Sequence, residues 1–331
     1  MPLKQMNTRR DFLKKSSLAA VAAMTGPTFL NAAAFGNEPS ESESFLKKHK
    51  LSVLSYSFNG LVERGMQDIF GYFETCKYRY NIDAADLWGG HLKDFFERYD
   101  TGKYIPFEDE WIAKVKEALD ERELFIPNIT ADGCHVMDLN PERTELNYKN
   151  ALEHLRLAKK LGVVGFVRFD SGPSFEMPNG RKDWTTEEFD FTVKRYKEYA
   201  QYAYDNGFKV GAENHMGPSA EWRNLKKLYD AVNHPGFAYC IHISGWKGTE
   251  DEKNQYDIES AKFAVHTHIA QNIIDGPLEE KMNIFRNAGY QGYYSVEVPT
   301  PKNEYDIVAT ALSKVSTVMH KWDLERIRPS T

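Results

Sequence analysis

Four apolar runs in the second half of this chain end in residues that can hold a metal ion or move a proton. Val210-Gly211-Ala212 leads into Glu213, with His215 two residues on. Tyr239-Cys240-Ile241 leads into His242, Phe263-Ala264-Val265 into His266 and His268, and Tyr294-Ser295-Val296 into Glu297. Strand side chains alternate faces, so Glu213 and His215 can point the same way, as can His266 and His268. Carboxylates and imidazoles coordinate divalent cations and act as general acids and bases. A closed parallel barrel gathers such groups from several strand ends around one mouth.

The elements that must position them follow a regular rhythm. Strand-like runs at 51–57, 82–88, 124–130, 163–169, 209–213, 237–242, 263–268 and 293–298 alternate with helical segments at 66–78, 108–121, 141–161, 187–206, 221–232, 256–262, 278–288 and 304–321. Gly162, Gly207 and Gly289 each stand where a helix stops and a strand starts, as the left-handed helix cap requires. Thr185 and Glu188 have capping-box spacing. Successive strand ends lie 26 to 44 residues apart, the size of a βα unit. Eight units fit a single-domain (β/α)8 TIM barrel over 50–331. A doubly wound open sheet is the main alternative, but no G-x-G-x-x-G follows the first strand.

At 331 residues, 41% hydrophobic and 13% aromatic, the chain can build a large core. The formal charge is -6; residues 1–34 carry +4, so the remainder carries -10. That balance argues against nucleic acid or an anionic membrane surface as the main partner. Thr8-Arg9-Arg10-Asp11-Phe12-Leu13-Lys14-Lys15, a short apolar stretch and Ala32-Ala33-Ala34 resemble a twin-arginine export signal over 1–34, which implies a periplasmic location. The stretch is too short to span a membrane. Residues 35–49 read as a polar linker. Cys76, Cys134 and Cys240 are scattered and read as buried free thiols.

Leu54-Ser55-Tyr56-Ser57-Phe58, Asp86-Leu87-Trp88-Gly89-Gly90-His91, Val167-Arg168-Phe169-Asp170, Glu213-Asn214-His215, His242-Ile243-Ser244-Gly245-Trp246, His266-Thr267-His268 and Glu297 occur in that order. Together they resemble the xylose isomerase-like TIM-barrel superfamily, in its sugar (phosphate) isomerase/epimerase branch. The resemblance covers nearly all of 51–321. It implies one divalent metal held by Glu213, His242, His268 and Glu297, with Glu213 and Glu297 as the proton-transferring pair and His215 as an auxiliary acid/base. The family pattern has Asp where this chain has His242. The swap removes a negative charge and favours Zn, Co, Ni or Fe over Mg, with Mn also admitted.

The reaction so implied is removal of a proton α to a carbonyl of a sugar or keto-sugar, the cation stabilising the enolate. A lyase or hydratase acting on 3-keto-glycosides is the nearest rival. A carbohydrate-binding protein without catalysis is the rival from another class. A nuclease on the same fold is disfavoured by charge. Tyr56, Trp88 and Trp246 lie near strand ends, where sugar faces stack, and His91, in the loop after the second strand, is a further candidate substrate contact. Arg168 either binds substrate oxygens or pairs with Asp170, and His266 is a ligand, a supporting residue or a core histidine. The loop Gln271-Asn272-Ile273-Ile274-Asp275-Gly276-Pro277 has no glycine-rich phosphate cradle, which favours an unphosphorylated substrate. Self-association stays open.

Overall fold

A ring of eight short parallel strands organises the computed structural model, which describes residues 50–100, 103–173, 177–300 and 302–327. The strands are β1 (Leu51–Val53), β2 (Leu87–Trp88), β3 (Asn128–Thr130), β4 (Phe166–Arg168), β5 (Lys209–Gly211), β6 (Tyr239–His242), β7 (Ala264–Ala270) and β8 (Tyr293–Glu297). One run pairs in the order β1-β8-β7-β6 and the other in the order β2-β3-β4-β5. Parallel bridges from Leu54 to Asp86, Val210 to Phe237 and Glu213 to Cys240 join the two runs at both seams. The sheet therefore closes on itself and leaves no edge, the (β/α)8 arrangement. The export signal (1–34) and the linker (35–49) lie outside the described residues. Among the described residues no helix is long and apolar enough to cross a membrane.

Most strands are shorter than the apolar runs that announce them. Only two or three residues pair in each of β1 to β5, although Leu54, Ile126 and Phe169 beyond their ends are buried. Hydrophobic runs report burial on both faces of a parallel strand, not the extent of its ladder. The helix expected at 256–262 begins earlier, at Glu250, because Thr249 and Glu252 form a capping box. Two short helices, α1 (Asn59–Glu63) and α3 (Phe95–Asp100), gave no sequence signal; the helix between them is α2 (Ile69–Glu74).

The remaining α-helices are α4 (Asp109–Glu121), α5 (Pro141–Leu161), α6 (Thr186–Asp205), α7 (Trp222–Val232), α8 (Glu250–Ser260), α9 (Gln271–Ile274), α10 (Leu278–Asn287) and α11 (Glu304–Ile327). Their starts and stops follow local chemistry. Asn140 caps α5, with Pro141 in its first turn. The Thr185–Glu188 capping box opens α6. Gly162, Gly207 and Gly289 take φ of +70°, +81° and +80°, conformations that turn each helix back toward the next strand. The main core lies between sheet and helices, where Val53, Leu87, Ile129, Val167, Val210, Ile241 and Val296 are fully buried. A small cluster of Phe166, Ala238 and Cys240 forms a separate apolar group.

Candidate active site

The ends of β5 to β8 bring four side chains into one chain of contacts. His268 Nδ1 stands 2.7 Å from Glu213 Oε1 and 3.6 Å from Glu297 Oε2, and His242 Nε2 stands 3.4 Å from the same Glu297 oxygen. They face a cavity of about 440 Å³ whose lining also includes Tyr56, Trp88, Asp132, Arg168, Asp170 and His215. That volume falls in the range of small-molecule sites. Its walls differ in character. Tyr56, Trp88, Phe95 and Phe96 form an aromatic side, with successive edge-to-face contacts at 4.8, 5.6 and 5.3 Å between ring centroids. Asp132, His135, Arg168, Asp170 and His215 supply charged and polar groups.

Arg168, only 3% exposed, organises the charged side. Its Nη1 donates to Glu213 Oε2 at 2.7 Å and to Asp170 Oδ1 at 3.2 Å, while Nη2 donates to Asp132. Burial works against the charge on Arg168, but Asp170, Asp132 and Glu213 outweigh it and hold the guanidinium charged. Burial likewise opposes ionisation of Asp170, and Arg168 then His215 bring its carboxyl down to about 2. His215 lies 3.5 Å from Asp170 and is 41% exposed; burial lowers its pKa, but Asp170 and Glu213 carry it up to about 9. Its ring also stands 3.1 Å through Nδ1 from Arg168 Nη1 and is turned to the cavity.

Glu213 has both oxygens engaged, one by His268 and one by Arg168. Burial would raise its carboxyl, yet His268 and Arg168 hold it well below the usual range. Glu297 is lowered too, against burial, chiefly by His242. Burial pushes the Cys240 thiol up to about 12; its Sγ lies 3.7 Å from Glu213 Oε1 beneath the site. The donor set suits a divalent cation: two carboxylates and two imidazoles, with His242 Nε2 buried and lacking a hydrogen-bond partner. Glu213 and His268 are close enough to share it, with Cys240 as their third near neighbour; His242 and Glu297 would complete the expected set of four through the contacts given above.

The structure separates the other candidates. Tyr56, Trp88, Arg168 and His215 line the cavity, whereas His91, Trp246 and His266 do not. His91 is buried against Trp88 and Tyr72, with Nε2 at 3.2 Å from Gln67. Trp246 donates from Nε1 to Asp257, which also accepts from Ser244 and the buried Lys281, and this network pins the loop after His242. His266 bonds Asp86 at 2.7 Å and is fully buried. Sequence reasoning passed over Asp132 and left Asp170 as an ion-pair partner. A signal was present: Asp132, Asp170 and Glu213 each stand two residues beyond the end of successive strands β3, β4 and β5.

A family profile described as "Xylose isomerase-like TIM barrel" matches residues 83–315. No curated protein sequence matches the chain significantly. Among solved structures, 3-keto-D-glucoside 4-epimerase from E. coli, in its apo form, superposes with a TM-score of 0.62 at 16% identity, over 82% of this chain and 100% of that one. A xylose isomerase-like TIM barrel protein from Mycobacterium smegmatis, in complex with magnesium, gives 0.62 at 12% identity over 83% and 97%. The probable 3-DHS dehydratase from Bacillus anthracis, involved in petrobactin synthesis, gives 0.59 at 15% over 81% and 98%. At these identities the likeness is one of fold.

Proposed function

The chain belongs to the xylose isomerase-like TIM barrel family, and from that premise we propose that it is a sugar isomerase or epimerase that takes a proton from the carbon α to a carbonyl of an unphosphorylated sugar or keto-sugar. The observation that carries the reading is the convergence of Glu213, His242, His268 and Glu297 at the mouth of one cavity. When bound there, a divalent cation supplies electrophilic stabilisation of the negative charge that proton removal creates.

The chain's own residues divide the remaining work. Glu297 is the better base, because Glu213 already serves His268 and Arg168 through both oxygens. His215 lines the same cavity, and its raised pKa suits it to return a proton. The aromatic side of Tyr56, Trp88 and Phe95 suits the apolar face of a sugar ring and keeps water from it. A phosphate suits the cavity poorly: Arg168 is committed to three carboxylates, and Glu63, Asp132, Asp170, Glu213 and Glu297 line the same space. Export through the Arg9-Arg10 signal, part of the same proposal, fits a substrate met outside the cytoplasm.

Expulsion of a β-leaving group from the same enolate makes the enzyme a lyase or hydratase, with His215 as the acid beside that group. Solvent-deuterium incorporation over a panel of ketoses and 3-keto-glycosides, with product analysis, separates the two. Glu297→Gln should cut exchange by about 10²–10⁴-fold, the usual worth of a general base, and reduce bound metal. A Glu297→Gln protein that binds metal and exchanges protons like the parent defeats the proposal, as does a parent that exchanges with none of the sugars.

A further inference from the structure

Asp86 lies outside the cavity lining and is fully buried, yet β3, β7 and β8 all reach it. Its Oδ1 accepts from Asn128 Nδ2 at 2.8 Å, and its Oδ2 accepts from Ser295 Oγ at 2.6 Å and from His266 Nε2 at 2.7 Å. His268 Nε2 stands 3.4 Å from the same Oδ2. The His268 ring is thus held between two anionic sides. Nε2 faces Asp86, while Nδ1 faces Glu213 and Glu297.

We infer that Asp86 is a positioning residue that decides which nitrogen His268 presents to a cation, an inference that rests on the metal reading above. An ionised carboxylate has no proton to give, so an imidazole nitrogen turned to one carries the hydrogen, and without a cation His268 also donates from Nδ1 to Glu213 at 2.7 Å. A cation between Glu213 and Glu297 displaces that hydrogen, while the one turned to Asp86 stays. With the hydrogen on Nε2, the lone pair falls on Nδ1, the nitrogen beside Glu213 and Glu297. The other tautomer sets a lone pair against Asp86 and an N–H against the cation. Carboxylate partners of this kind orient metal-bound histidines and strengthen their basicity.

His266 and Ser295 serve the same end by another route. Their two short bonds fix Oδ2 and keep the carboxylate from swinging toward the positive charge. His266 Nδ1 is buried without a hydrogen-bond partner, as expected of a bare lone pair when the hydrogen sits on Nε2. Asp86, His266 and His268 also stand close enough to share a cation of their own. The three donors already spent on Asp86 speak against that arrangement.

The test uses the full chain loaded with Zn²⁺ and ¹⁵N-labelled in its histidines. Long-range ¹H–¹⁵N spectra should show His268 bound through Nδ1 with hydrogen on Nε2, and a metal-bound Nε2 overturns the inference without any mutation. In parallel, Asp86→Asn should lower Co²⁺ affinity by ~10–100-fold in chelator competition and shift the Co²⁺ visible bands. His266→Asn, which loosens Asp86 but leaves its charge in place, should lower affinity by less than Asp86→Asn does. A folded Asp86→Asn protein with parental affinity and bands overturns the inference. So do two cations per chain with one lost in Asp86→Asn, since Asp86 is then itself a ligand. No uptake of Zn²⁺ or Co²⁺ by the parent overturns the metal reading instead.

Discussion

Replacing Arg168 with methionine decides whether this side chain is a substrate hook or the charge balance of the site. Methionine keeps much of the apolar stem and removes the guanidinium. Three carboxylates then lose their common cation: Glu213 at 2.7 Å, Asp170 at 3.2 Å and Asp132. At about 3 Å and an effective dielectric constant near 20, each contact is worth roughly 5 kcal/mol in gross Coulomb energy. Much of that offsets desolvation, so the net cost follows buried pairs broken from one side, about 3–5 kcal/mol. For a domain of this size a change of 1 kcal/mol moves Tm by roughly 2–4 °C. The variant should therefore melt on the order of 10 °C below the parent by circular dichroism. Adding Asp132→Asn to Arg168→Met should recover part of the loss, because one stranded anion is gone, whereas Asp132→Asn alone should not stabilise the parent. A melting point within about 2 °C of the parent, with a raised KM for sugars, refutes the charge-balance argument and makes Arg168 a substrate contact.

Three further outcomes are expected. His154 is buried, and burial lowers its pKa to about 4. The unfolded chain, titrating near ~6.5, takes up a proton that the folded chain refuses, so stability is full above that pH and is lost as pH falls toward 4. Between pH 7 and 5 the loss is ~2 kcal/mol; His154→Gln should show a smaller acid shift in urea midpoint by that amount, and an unchanged shift excludes the mechanism. His242→Asp should keep the metal but move preference toward Mn or Mg over Zn by about tenfold, ~1.4 kcal/mol. Dialysis against mixed metals reads this, and an unaltered ratio removes His242 from the ligand set. Changing Arg9 and Arg10 to Lys together should hold the protein in the cytoplasm. Unchanged periplasmic accumulation removes the export reading.

The barrel was legible because its signals are local. A glycine after a helix, a cap before one and an apolar run between them need no knowledge of distant partners, and Gly162, Gly207 and Gly289 stand where they were expected. The strand ends carrying Glu213, His242, His268 and Glu297 were legible for the same reason. What failed was depth. His266 shares a face with His268, but two residues are about 6.6 Å apart along a strand, which places His266 in a layer under the cavity beside Asp86. Trp246 failed because the chain turns at Ser244, with φ of +60°, and carries the indole to Asp257. Gly89–His91 forms a tight helical turn that folds His91 beneath Trp88 toward Gln67. Asp86 shares its largely apolar stretch with Asp83, and only the closed ring shows that β3, β7 and β8 all deliver donors to Asp86.

The charges around the cavity explain how a histidine can stand where the resemblance has aspartate. Asp86, Asp170, Glu213 and Glu297 are all held ionised against burial. Arg168 and His215 answer two of those charges. His268 answers another: burial lowers its pKa, but Cys240 and Glu213 lead the groups that raise it well above the ordinary imidazole range. The proton on His268 and a divalent cation therefore occupy the same electrostatic position, between Glu213 and Glu297, and exclude each other there. An aspartate at 242 would add a further negative charge on the side of the cavity where His242 now faces Glu297. That charge would have to be met by the cation alone, since Arg168 and His215 lie toward Asp170 and Asp132. An imidazole at 242 supplies a donor atom without that charge, so Glu297 keeps more of its basicity for the substrate.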